Sequence, residues 1–256
     1  MTLGAFSNRY GSFAIRQAPS QTSFYETLYF AVNTTSPPFD NVLVRYALAM
    51  ATDRQTIASG MRDEKFKYIA GIGLVPPYKD YETLNHLEVT IEGNPYDVIT
   101  YNPTAARELL AKAGFPEGIS KEKQRLAIEV LVYAGEDTEK LTRIIKQQWE
   151  QNLGVDVKVI SKKWHDYLEQ KDERDFKGVA LDGKALLLGD ARDLLEFATG
   201  QIAKKPCWTD AKFNEMLREA NRASSSSMSE GNRKFRECEA YLLRAMAVIP
   251  LYSYAP

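Results

Sequence analysis

Between residues 126 and 159 the hydrophobic positions change period twice. Leu126 to Tyr133 is an apolar run of strand length. Leu141, Ile144, Ile145 and Gln148 then recur at helical spacing, and Gly154 stops that helix. Val155, Val157 and Val159 alternate with Asp156 and Lys158, as a one-sided strand should. Strand, helix and strand within about 35 residues predict a βαβ unit with parallel strands and a right-handed crossover.

The same reading extends in both directions. Met1 to Ser23 is polar and irregular. From Tyr25 the chain turns aromatic (Leu28, Tyr29, Phe30, Val32), a strand running into a turn at Ser36-Pro37-Pro38. Asp40 or Asn41 can cap a helix with the stripe Val44, Ala47, Leu48 and Ala51. Thr52 and Gln55 form a capping box for a second helix ending by Gly60. Residues 61–100 carry glycines and prolines but no period, so packing through Tyr68, Tyr78, Tyr81 and Tyr96 should order them without a long helix. Asn102-Pro103 opens a helix that Gly114 ends. A short helix over Trp164 to Gln170 follows, then strands near Phe176 to Leu181 and Ala185 to Leu188, and a helix after Asp193. Helices over Ala211 to Ala223 and about Glu230 to Ala247 flank a polar joint, Ser224 to Ser227. Val248 to Tyr252 is apolar and extended, a strand in need of a sheet. No internal repeat is present.

Composition narrows the function classes. The chain has 256 residues, 44% hydrophobic, and 33 basic against 34 acidic side chains, so no positive field favours nucleic acid. No apolar run approaches a membrane span. Met1 to Phe13 lacks the basic start and apolar core of a signal peptide. Cys207 and Cys238 could form one bridge or remain buried thiols. Nucleophile-elbow, zinc-protease, phosphate-loop and C-x-x-C motifs are missing, and Gly71-Ile72-Gly73 runs into Val75-Pro76, which no dinucleotide fingerprint allows. The sequon Asn33-Thr34-Thr35 is a chance-level match. His86 reads as solvated, and His165 as a surface-helix residue beside Trp164.

A series of short stretches carries further meaning. Tyr29-Phe30-Ala31-Val32-Asn33, Ser36-Pro37-Pro38-Phe39-Asp40-Asn41, Val44-Arg45-Tyr46-Ala47-Leu48 and Thr52-Asp53-Arg54 open it. Leu74-Val75-Pro76-Pro77, Tyr101-Asn102-Pro103, Ala113-Gly114-Phe115-Pro116 and Trp149 to Val157 continue it. Trp164 to Leu168, Gly189-Asp190, Phe197 and Ile249-Pro250-Leu251-Tyr252 complete it. In this order they strongly resemble the family 5 extracellular solute-binding proteins, the oligopeptide- and dipeptide-binding proteins of ATP-binding-cassette importers.

The resemblance implies an α/β fold, a type II periplasmic-binding-protein-like lobe with a mixed sheet and flanking helices. Residues 1–24 would be an irregular lead-in, 25–247 the later lobe, and 248–256 the start of a return strand toward a missing first lobe that also carries the signal peptide. It implies a monomeric binding protein, not an enzyme and without a cofactor, that encloses a peptide or related small solute. Its partner would be a membrane permease, and its place periplasmic or extracellular. The alternative is a cytoplasmic sensing or regulatory domain on the same fold, favoured by the N-terminus. Asp190 looks like the acid that receives a ligand's α-ammonium, or it caps the helix that follows. Trp164 looks like a wall of the side-chain pockets, or a core anchor, and Tyr133 joins the same lining. Three departures alter the cleft: Ala191 and Arg192-Asp193-Leu194 replace an aromatic and prolines, Leu186-Leu187-Leu188 replaces a stretch that often bears tryptophan, and about four residues are inserted near Leu181 to Lys184.

Overall fold

The computed structural model describes residues 25–62, 66–71, 73–77, 80–186, 191–199 and 205–255. Its strands are β1 (Tyr25–Val32), β2 (Lys67–Ala70), β3 (Glu88–Ile91), β4 (Asn94–Asp97), β5 (Ala127–Tyr133), β6 (Asp156–Lys162), β7 (Gly178–Leu186) and β8 (Val248–Ala255). Six of them form one mixed sheet in the order β2-β8-β1-β7-β5-β6, and β3 pairs with β4 alone. β5 runs parallel to β6 and β7, whereas β1 is antiparallel to both β7 and β8. The helices are α1 (Val42–Met50), α2 (Arg54–Met61), α3 (Pro103–Lys112), α4 (Glu136–Leu153), α5 (Trp164–Asp172), α6 (Ala191–Ala198), α7 (Ala211–Ser226) and α8 (Met228–Ala245).

The βαβ unit is β5-α4-β6, with Leu141, Ile145, Trp149 and Leu153 buried on α4. Each such side chain removed from water contributes about 1.5–3 kcal/mol. Trp149 packs on Phe30 of β1 at 5.7 Å and donates its indole N–H to Thr52 Oγ1 at 3.0 Å. Gln148 exchanges two hydrogen bonds with the Asp53 backbone, at 2.9 and 3.1 Å. That helix ends at Gly154, where φ is +68° and a Cβ would lie 2.5 Å from the Glu117 carbonyl oxygen, so only glycine fits.

The signature arginines prove to be scaffold. Arg54 is buried and donates to the carbonyls of Pro250 (2.8 Å), Ala49 (3.1 Å), Thr52 (3.2 Å) and Ile99 (3.1 Å). One guanidinium thereby ties the α1–α2 corner to β8 and to the loop before α3. Burial lowers its pKa to about 10. Arg45 fastens the start of α1 to the end of α8 through Phe39 O and Ala245 O.

Several local expectations are revised. Asp53, not Thr52, caps α2, accepting from Gln55 N and Thr56 N, because the Thr52 hydroxyl donates to Leu48 O and accepts from the Trp149 indole. The two strands expected over Phe176 to Leu181 and from Ala185 are one as far as the described residues reach: β7 is continuous from Gly178 to Leu186, since β1 pairs along it. The residues taken as inserted, Leu181 to Lys184, lie inside it. The joint between the last two helices is Ser227 alone, which ends α7 and accepts from Glu230 N to cap α8. Val159 is 39% exposed, because β6 is the edge strand of the sheet. The apolar C-terminal strand, expected to start a return toward another lobe, lies inside this sheet, between β1 and β2. Asn33 is buried and donates to Phe176 O at 2.7 Å, so its amide is committed within the fold. Both cysteines are free thiols, each with its pKa raised by burial. Among the described residues, 61–100 hold short strands and no helix beyond Met61.

Candidate ligand-binding edge

Open sheets with parallel strands receive ligands beyond the strands' carboxyl ends. Here Tyr133 closes β5, and Trp164 begins α5 two residues after β6 ends. The two rings meet edge to face, 5.2 Å apart at 79°. Beneath them Tyr167 lies 5.6 Å from each ring and donates its hydroxyl to the Leu181 carbonyl of β7. Tyr167 is buried while Trp164 keeps 37% of its surface exposed. The product is an aromatic shelf with a fixed base and a solvent-facing top, a surface suited to apolar side chains and flat groups.

The chemistry around the shelf is mixed. Lys171 and Asp182 form an ion pair at 2.8 Å, largely covered by protein. The Lys171 ammonium also lies 5.8 Å from the Tyr167 ring and 5.7 Å from Phe197, and Lys184 lies 5.1 Å from Phe197. The Tyr29 hydroxyl is buried with no hydrogen-bond partner among the described residues, and its pKa is raised by burial. On the other side of Tyr133, a recess of about 30 Å³ is lined by Tyr68, Tyr252, Tyr254, Met61 and Leu141. Glu26 accepts from the Tyr254 hydroxyl there, and burial raises its pKa.

The structure thus unites two of the three expected site residues, Trp164 and Tyr133. Asp190 lies outside the described residues, as do Gly189, Leu187 and Leu188. Tyr167 was missed, although it stands three residues after Trp164, the spacing that stacks two rings on one helix face. A larger recess, about 420 Å³ and lined by Trp208, Phe213, Asn214 and Asn221, contains none of the expected residues. It adjoins the loop whose Cys207 carbonyl accepts from Thr34, beyond the far end of β1. We favour the shelf, because it stands where the parallel strands end. His86 bonds to Asp97 at 2.8 Å on the surface. Among the described residues no group of three His, Cys, Asp or Glu is placed to hold a metal, and no helix is long and apolar enough to cross a membrane.

Comparison with known proteins gives this geometry a context. Residues 8–187 match the family described as bacterial extracellular solute-binding proteins, family 5 middle. The chain belongs to that family. It is 25% identical over 233 residues to the oligopeptide-binding protein OppA of Bacillus subtilis, covering 88% of this chain and 39% of that one. It is 24% identical over 237 residues to the periplasmic murein peptide-binding protein MppA of Escherichia coli, covering 89% and 40%. The chain therefore spans about two fifths of the curated relatives it matches. A solved periplasmic oligopeptide-binding protein from Borrelia burgdorferi superposes with a TM-score of 0.71 at 21% identity, covering 90% of this chain and 44% of that one. The fold is the type II periplasmic-binding-protein fold. The family is one of solute-binding proteins, not of enzymes.

Proposed function

We propose that this chain is the later lobe of the substrate-binding component of an ATP-binding-cassette importer, and that it forms one wall of a cleft for peptides or a related small solute. The carrying observation is the shelf of Trp164 and Tyr133 over buried Tyr167, at the carboxyl edge of the parallel strands. The matched relatives bind peptides according to their names, which supports a peptide as the solute. In this reading residues 25–247 and β8, which completes their sheet, make the lobe, and the chain leads back toward the first lobe from the end of β8. Asp190, four residues after the end of β7 in the sequence, receives the solute's ammonium. The complete protein works outside the cytoplasmic membrane as a monomer and hands its solute to a permease.

The test is mass spectrometry of the full reading frame's product, released from solute by denaturation. Co-purified masses in the peptide range, lost in Trp164→Ala, support the proposal. A product that releases no bound solute, or a solute retained unchanged in that variant, overturns it.

A further inference from the structure

Away from the shelf, one carboxyl group is buried completely and holds down a stretch of chain. Glu239 of α8 accepts from Leu74 N at 2.6 Å and Val75 N at 2.8 Å through Oε1, and from the Tyr81 hydroxyl at 2.7 Å through Oε2. The backbone approaches so closely that a Cβ on Gly73 would lie 2.9 Å from Oε1. These residues directly follow β2, a four-residue edge strand whose one sheet neighbour among the described residues is β8. Gly71 N continues that pairing to Leu251 O at 3.1 Å.

We propose that Glu239 is a proton-controlled latch on the segment that follows β2. Two backbone N–H groups can only donate, so Oε1 remains an acceptor in either state and the proton enters at Oε2. There it reverses the bond with Tyr81, and the carboxyl group becomes neutral with all its contacts inside protein. When the proton leaves, a full negative charge stays buried, and opening the segment to water relieves it. The charged and titratable groups facing Glu239 among the described residues are Tyr81 from the latched segment and Arg236 one turn earlier on α8. Arg236 also faces Glu82 at 3.6 Å. Burial raises the carboxyl to about 7, against the pull of the three hydrogen bonds and of Arg236.

The direction of the pH dependence follows. A carboxyl that titrates higher when buried stabilises the closed form below its ordinary value of 4.5, and that advantage is lost as pH rises toward 7. If opening returns Glu239 to its ordinary value, the open-to-closed ratio grows about 30-fold between pH 5.5 and 8.5. Amide hydrogen exchange on the whole chain reads this directly. After correction for intrinsic exchange, the protection of Leu74 and Val75 relative to Val130 in β5 should fall by about that factor. In Glu239→Gln, which mimics the neutral state, it should stay level. A wild-type ratio constant within threefold, or an equal fall in the variant, overturns the latch. Should the variant not fold, the carbon-13 titration of the wild-type Glu239 carboxyl decides: a midpoint near 7 upholds the latch, and one near 4.5 removes it.

Discussion

Replacing Arg54 with methionine tests whether the most recognisable residues of this chain serve the scaffold or the ligand. The guanidinium is buried and donates to four carbonyls from three separate parts of the chain. Hydrogen bonds from a charged donor contribute about 1.5–3 kcal/mol each, so the gross interaction is of order 6–12 kcal/mol. Against it stands the cost of keeping the charge buried, visible in a pKa lowered from 12.5 to about 10 and in an Nη2 without a hydrogen-bond partner among the described residues. That shift corresponds to about 3 kcal/mol. Ala49 O keeps a second donor, Thr52 N at 3.3 Å, which softens its loss. Methionine fills most of the volume and removes the charge and the donors that the Pro250, Thr52 and Ile99 carbonyls accept. A net loss of about 3–5 kcal/mol is expected, the range for breaking a buried charged network. Equilibrium urea unfolding should show it as a midpoint lowered by about 1–1.5 M at an m-value near 3 kcal/mol/M. Lysine, with three donors on one nitrogen, should recover only part of it. A loss below about 1 kcal/mol in Arg54→Met would refute the structural role.

Three further outcomes are expected, two from the geometry and the third from the resemblance at Asp190. Gly154→Ala forces a left-handed φ on alanine and drives its Cβ toward the Glu117 carbonyl, so thermal unfolding should show a loss of about 1–3 kcal/mol; an unchanged midpoint would contradict the tight closure there. Trp164→Ala removes two ring contacts from a side chain already one-third exposed. It should cost about 1 kcal/mol of stability while weakening solute binding in the complete protein by tenfold or more; equal binding would free the shelf of its role. Asp190→Asn in the complete protein should weaken an amine-bearing solute by about 1.5–3 kcal/mol in calorimetry, with the ligand-free melting temperature nearly fixed. Unchanged affinity would leave Asp190 as a helix cap, a task asparagine performs equally well.

The βαβ unit was legible because its period changes are abrupt and glycine ends the helix. The caps at Asn41 and Asn102 were legible from local chemistry. Asp53 was not, because the choice between neighbouring caps depended on Trp149, nearly a hundred residues away, which engages the Thr52 hydroxyl. The unbroken course of β7 was hidden for a similar reason: Asp182, Gly183 and Lys184 look like a turn until β1 pairs across them. Of the site, Trp164 and Tyr133 could be named from resemblance, but their contact with Tyr167 required the parallel alignment of β5 and β6. Glu239 gave no local signal, since its partners stand about 160 residues earlier in the chain.

In the proposed function the carboxyl edge of the parallel strands forms one wall of a solute cleft. Chemical-shift mapping of the nitrogen-15-labelled chain with trialanine tests it most directly. One wall leaves the solute half in water, so the affinity should be weak, on the order of millimolar. The shifts should centre on Tyr133, on residues 162–167 and on the backbone around Asp190. No shifts at ten times that concentration, or shifts centred on the Trp208 recess, would contradict the account.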